Sequence, residues 1–218
     1  MTDRQLLAGF ARGASEEAFA EIVRRHSAGV FSVCLRVLGN AHAAEDATQA
    51  VFIVLAGKAG SLPGDTVLAG WLHGVARTTA LELARKEARR RGHEREAAEM
   101  RERTGETETG RGEWREIRPR LDAALAGLKP AQRDVLLLRC VHGRSEAEAA
   151  DELGWGRSRV SVTLSRALEA LRRRLGARGG TLSAVALAAA ISGHALEAAP
   201  AGLADGVLRS EEPKAEPP

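Results

Sequence analysis

An all-α chain is predicted by three properties of the sequence. Ala, Leu, Arg and Glu dominate it, all good helix formers, while strand-favouring runs of Val, Ile, Thr and aromatic residues are missing. Aromatic residues make up 3% and Tyr is absent, so the 44% of apolar residues must build an aliphatic, finely packed core. Apolar positions also recur at helical spacing, first up to about residue 91 and again from Pro119. Between them lies a charged stretch with no apolar stripe.

The elements follow in order. In "SEEAFAEIVRRHSAGVFSVCLRVLGN" Ser15 is an N-cap, Glu16 and Glu17 suit the first turn, and Phe19, Ile22, Val23, Val30, Phe31, Cys34 and Leu35 share one face. Gly39-Asn40 stops that helix and caps the next, "AHAAEDATQAVFIVLAGKA". "GSLPGDT" reads as a loop before a helix holding "GWLHGVARTTALELARKEARRR". Residues 93–118 read as a flexible linker, which sets the first domain at 1–92 and the second at 119–177. In the second domain Pro130 opens a helix, and Ser145 with Glu148 forms a capping box for "EAEAADELG". Gly154 suits a left-handed helix end, and Ser158 is expected to cap "RVSVTLSRALEALRRRL". Two helices across a tight Gly-containing turn form a helix-turn-helix. Residues 178–218 are an extension, expected as one Ala-rich helix and then a disordered acidic, Pro-rich tail. Its apolar run is too short to span a bilayer, and membrane contact by this tail is not expected.

Charge is placed unevenly. The net charge is +3, yet residues 85–91 carry five positive charges against Glu87 alone, and 155–178 carry seven Arg against Glu169 alone. Two cationic helix ends on a near-neutral body point to a polyanion touched at two places. The long helix from Trp71 therefore divides its work. Trp71, Leu72, Val75 and Leu83 anchor it, while Arg77, Arg85, Lys86, Arg89 and Arg90 address phosphates. On the second helix of the helix-turn-helix, Arg157, Ser158, Arg159, Ser161 and Thr163 face base edges and Arg166 suits a phosphate. Cys34 and Cys140 stand apart as small core residues of a reducing compartment. "MTDRQLLAGFARG" lacks the apolar region of a signal peptide, so a cytoplasmic protein is expected. The six His show no ligand-like grouping, and no nucleophile motif, phosphate loop or carboxylate pair stands out. Neither catalysis, nor a metal, nor a cofactor is expected.

The order "AEDATQAVFIVL", Pro/Gly loop, "GWLHGVARTTALELARKEARR", charged linker, "LKPAQRDVLLLRCVHGRSEAEAADELGWGRSRVSVTLSRALEALRRRL" resembles the extracytoplasmic-function (ECF) subgroup of the sigma-70 family, bacterial transcription initiation factors. The resemblance covers roughly residues 5–176. It implies a region 2-like bundle and a region 4-like helix-turn-helix that bind core RNA polymerase and direct it to promoter DNA. Glu45, Asp46, Gln49 and Phe52 would then contact the clamp of the polymerase's largest subunit. The loop Ser61 to Thr66 and the helix with Trp71 and Thr78 would capture a base flipped from the minus-ten element. The helix from Ser158 would read the minus-thirty-five element. Thr78 stands where the family often has Asn, and Ser161 and Thr163 where many members carry Lys and Arg. An anti-sigma protein is a further partner that the resemblance admits. Read without it, the residues also fit a stand-alone helix-turn-helix regulator that needs no polymerase.

Overall fold

The computed structural model describes residues 1–13, 15–94, 111–176 and 183–210, the side chains of 90–94, 111–113 and 210 excepted. Among the described residues the chain is helical with no strand, as expected. The first bundle holds α1 (Asp3–Ala11), α2 (Glu16–Leu38), α3 (Ala41–Lys58) and α4 (Leu68–Glu94). Its entries and exits are set locally. The Ser15 hydroxyl accepts from the Ala18 amide, Gly39 ends α2 at φ 67°, and the Asn40 side-chain Oδ1 accepts from the Ala43 amide. Ile22, Phe52, Leu55 and Leu72 lie fully buried between these helices, with Phe19 set edge-on to Phe52.

The second bundle is α5 (Arg111–Ala126), α6 (Pro130–Leu136), α7 (Glu146–Leu153) and α8 (Arg157–Leu175), with a π-helical turn, Leu137–Val141, closing α6. Pro130 sits at the start of α6, Ser145 and Glu148 make the reciprocal capping box, and Gly154 ends α7 at φ 66°. Ile117, Leu121, Leu136, Leu138 and Leu171 centre its core.

Three expectations need correction. The linker set at 93–118 is helical at both ends, because α4 continues to Glu94 and α5 already begins at Arg111. Trp114 and Ile117 are buried in the second core, and that anchors a turn that sequence reading left to the linker. Residues 95–110 lie outside the described residues. Helix α8 starts at Arg157 with Gly156 as its cap, so Ser158 lies within the first turn. The extension holds two helices, not one: α9 (Ala184–His194) and α10 (Leu203–Ser210). Leu187 and Ile191 of α9 enter the second core, and Leu203 and Val207 of α10 enter the first. No helix among the described residues is long and apolar enough to cross a membrane.

The bundles meet through polar groups set among apolar ones: Ala69 of α4 joins the second core, and Val30, Val33 and Leu72 line one small cavity with Leu121, Leu125 and Leu137. Arg36 on α2 grips Asp122 on α5 with both prongs, at 2.7 and 2.9 Å, and His73 on α4 approaches the same carboxylate at 3.2 Å. Burial alone would raise the Asp122 carboxyl, but hydrogen bonds from His73 and Arg36 and their charge outweigh it and bring it down to about 2. A few turns away, Asp3 is 2.6 Å from His26, whose ring packs at 4.9 Å against His142. Gly70 on α4 lies so close to Asp134 on α6 that a Cβ there would come within 1.9 Å of a carboxylate oxygen.

Two groups of this seam titrate oddly and in opposite senses. Burial pushes His142 down to about 3, helped by His26 and resisted by Asp3. Burial raises Asp134 to about 6, with Arg133 opposing. Between pH 4.5 and 6 the unfolded chain protonates its histidine while folded His142 stays neutral, so acid weakens the fold there. Over the same window folded Asp134 gains a proton that the unfolded chain lacks, so acid strengthens it. Each effect is at most about 1.4 kcal/mol per pH unit. Asp134→Asn should therefore lose stability as pH falls from 6 to 4.5, and His142→Gln should gain it. Chemical denaturation of the two variants at both pH values checks these opposite slopes.

Candidate functional site

Three surfaces bear on function, each set by a helix. On α8, Arg157, Ser158, Ser161, Ser165 and Arg166 are exposed, while Val160, Ala167, Leu168 and Leu171 hold the opposite face in the core. The Arg159 guanidinium lies 4.0 Å over the Trp155 ring, which fixes the start of the helix and spreads a cation on its rim. Thr163 is half-buried, at the margin of this face. Val162, which sequence reading passed over, is 49% exposed at its centre. An apolar side chain among Ser158, Ser161 and Ser165 suits a thymine methyl. At the far end of α8, Arg173 and Arg174 share a recess with Lys129.

On α4 the anchoring half behaves as its sequence indicates. Trp71 packs half-buried on the first core, and Ala76 and Ala80 are fully buried. Arg77 is half-buried and Thr78 exposed. Arg85, Lys86 and Arg89 then form an exposed cationic ridge, spaced by helical turns. Arg90 belongs to α4, but its side chain is outside the described residues.

On α3 the outward stripe runs Asp46, Gln49, Ala50, Ile53 and Val54. Asp46 is exposed, Glu45 and Gln49 are half-buried, and Ile53 and Val54 are 48% and 36% exposed. Phe52 is different. Expected in the contact, it is fully buried against Phe19, because position 52 falls on the inner face with Thr48 and Leu55. The apolar part of any contact therefore belongs to Ile53 and Val54, which the i, i+3, i+7, i+8 spacing from Asp46 could have indicated. Asp46 also lines a groove with Asn40, Leu83 and Lys86, which brings the α3 and α4 surfaces together. Among the described residues no cluster of three metal-ligating side chains exists.

Comparison with known proteins follows these surfaces. The profile of Sigma-70 region 2 matches residues 22–90, and that of Sigma-70, region 4 matches residues 118–171; together they take in more than half of the chain. The chain belongs to the sigma-70 family. Region 2 thus carries the α3 stripe and the α4 ridge, and region 4 carries α8. The chain is 35% identical over 77 residues to the ECF RNA polymerase sigma factor SigE of Mycolicibacterium smegmatis, covering 35% of this chain and 29% of that protein. It is 32% identical over 71 residues to the ECF RNA polymerase sigma factor SigW of Bacillus subtilis, covering 33% of this chain and 38% of that protein. The chain thus spans about a third of the length of these relatives. Among solved structures, that of CnrH in complex with the cytosolic domain of CnrY matches at 23% identity, over 80% of this chain and 97% of that one. The TM-score of that match is 0.38.

The split within α3 is measurable. Phe52→Ala should cost about 3–5 kcal/mol of unfolding free energy, as a cavity in the region 2 core. Ile53→Ser should stay within about 0.5 kcal/mol of the parent, as a surface change. Denaturant titration of both variants distinguishes them.

Proposed function

We propose that this chain is a transcription initiation factor of the ECF type, which binds bacterial core RNA polymerase through α3 and carries it to promoters. The observation that carries the reading is the coincidence on region 2 of two surfaces: an acidic and apolar stripe on α3 and a cationic ridge on α4. A regulator that acts on DNA alone has no use for the first. On this reading Glu45, Asp46, Gln49, Ile53 and Val54 meet the polymerase. Trp71, Arg77, Thr78, Arg85, Lys86, Arg89 and Arg90 serve the minus-ten element. Arg157, Ser158, Arg159, Ser161, Val162, Thr163 and Arg166 read the minus-thirty-five element. On this reading region 2 runs from the N-terminus through α4, to Glu94, and region 4 runs from α5, at Arg111, through α8. The protein works in the cytoplasm and performs no chemistry of its own, since polymerase supplies the catalysis.

The division of contacts follows from the side chains. The ridge on α4 offers charge and little base discrimination, so it supplies affinity that falls with salt at a slope near −0.9 per phosphate contacted. The α8 face offers Ser, Val and Arg, which discriminate by methyl contact and bidentate hydrogen bonds.

The test is transcription in vitro from a promoter library with core enzyme and the full chain in excess. Discrete start sites are expected. Asp46→Ala and Ile53→Ser should each weaken co-elution with core polymerase by about tenfold, the scale of an interface hot spot. A chain that ignores polymerase and binds duplex DNA by itself overturns the proposal in favour of a stand-alone regulator.

A further inference from the structure

The extension does more than follow region 4. Helix α9 is seated in the region 4 core by Leu187 and Ile191, and the chain then crosses to region 2. The Ala195 carbonyl accepts from Arg36 at 2.6 Å, the Glu197 amide donates to the Ser32 hydroxyl at 2.7 Å, and the Glu197 carboxylate faces Arg118 at 3.4 Å. Pro200 and Gly202, the latter at φ 83°, turn the chain, and α10 settles against α2 and α3 with Leu203 and Val207 buried. There it flanks the α3 stripe. A Cβ on Gly206 would stand 3.4 Å from the Gln49 amide nitrogen.

We propose that residues 184–210 form a strap that holds regions 2 and 4 together, and that α10 competes with core polymerase for the α3 face around Gln49. The competition rests on the reading of α3 given above. Two properties of the strap fit a displaceable element. An eight-residue helix is marginal by itself, and Gly206 in its middle weakens it further, so α10 persists only while docked. Its hold on region 2 rests on two buried side chains of modest size, Leu203 and Val207, with Ala199, Ala204 and Leu208 only partly buried beside them. Closure has a second consequence. Elements centred ten and thirty-five bases upstream lie on the order of 80 Å apart along a duplex, at 3.4 Å per base pair. In the strapped form α4 packs against α6 and Ala69 of α4 joins the region 4 core, so the two reading helices cannot span that distance.

Two substitutions outside the α3 stripe pull in opposite directions. Val207→Asp puts a charge in the apolar seat of α10. Gly206→Ala favours the helix, and its Cβ meets only the movable end of Gln49. In the full-length chain, Val207→Asp should bind core polymerase about tenfold more tightly than the parent. Gly206→Ala should bind about twofold to fivefold less tightly. Amide exchange of residues 203–209 in the parent should accelerate when polymerase is added. Should Val207→Asp lose its helical circular dichroism, Gly206→Ala and the exchange measurement decide. Polymerase binding that ignores both substitutions, or α10 amides that stay protected in the complex, would overturn the strap alone. Failure of every form to bind polymerase would overturn the polymerase reading, and the competition with it.

Discussion

Arg36 is where the chain's three parts are tied together. It rises from α2, takes Asp122 of α5 with two hydrogen bonds, and gives a third to the Ala195 carbonyl of the extension. Both partners of the ion pair are about 95% enclosed in protein, so each has given up most of its hydration. Such a pair adds little over a well-packed apolar alternative, but losing one member strands the other and costs about 3–5 kcal/mol. Arg36 therefore acts by excluding other arrangements. Any movement of region 4 away from region 2 must break its hydrogen bonds together, and the extension is registered by the same group.

The contrast between the cores and the seam has a physical sense. Inside each bundle the contacts are aliphatic, between Leu, Ile, Val and Ala, and separating them would expose apolar surface to water. Between the bundles stand Asp3, His26, His73, Asp122 and His142, with Gly29 and Gly70 allowing close approach. Groups of that kind lose hydrogen bonds on separation but regain them from water, so parting the bundles exposes less apolar surface than unfolding either one. Cores fix what each domain is, and the seam fixes how long the domains remain together.

Local chemistry made much of this legible in the sequence. Ser15, Gly39-Asn40, Ser145 with Glu148, and Gly154 each act within four residues of themselves, and the structure has each in the geometry its type implies. The greasy and cationic halves of α4 likewise needed only periodicity. What escaped depends on partners distant in sequence. Arg36 and Asp122 are 86 residues apart, and nothing in either neighbourhood marks them as a pair. Phe52 was assigned by motif position, whereas its helical phase, shared with Leu55, puts it inside. Helix α10 is only eight residues long with a glycine in its middle, so its pattern reads as tail; the surface it covers holds it as a helix. Val162 carries no polar signal of its own, and only the phase of α8 turns it outward.

The placement of the exposed faces says what kind of control the closed form can exert. The cationic ridge on α4 and the α8 face both remain open to solvent, while α10 touches the α3 stripe. The strap as proposed would leave those two surfaces open, withhold the α3 face from polymerase, and keep α4 and α8 too near each other to act on one promoter. On the proposed reading each helix alone would make a short contact, and two weak contacts become a strong one only when geometry lets both engage at once. Closure thus removes the bivalent advantage without masking either face. Polymerase, by taking α3 and drawing the domains apart, would restore docking and bivalency in one step.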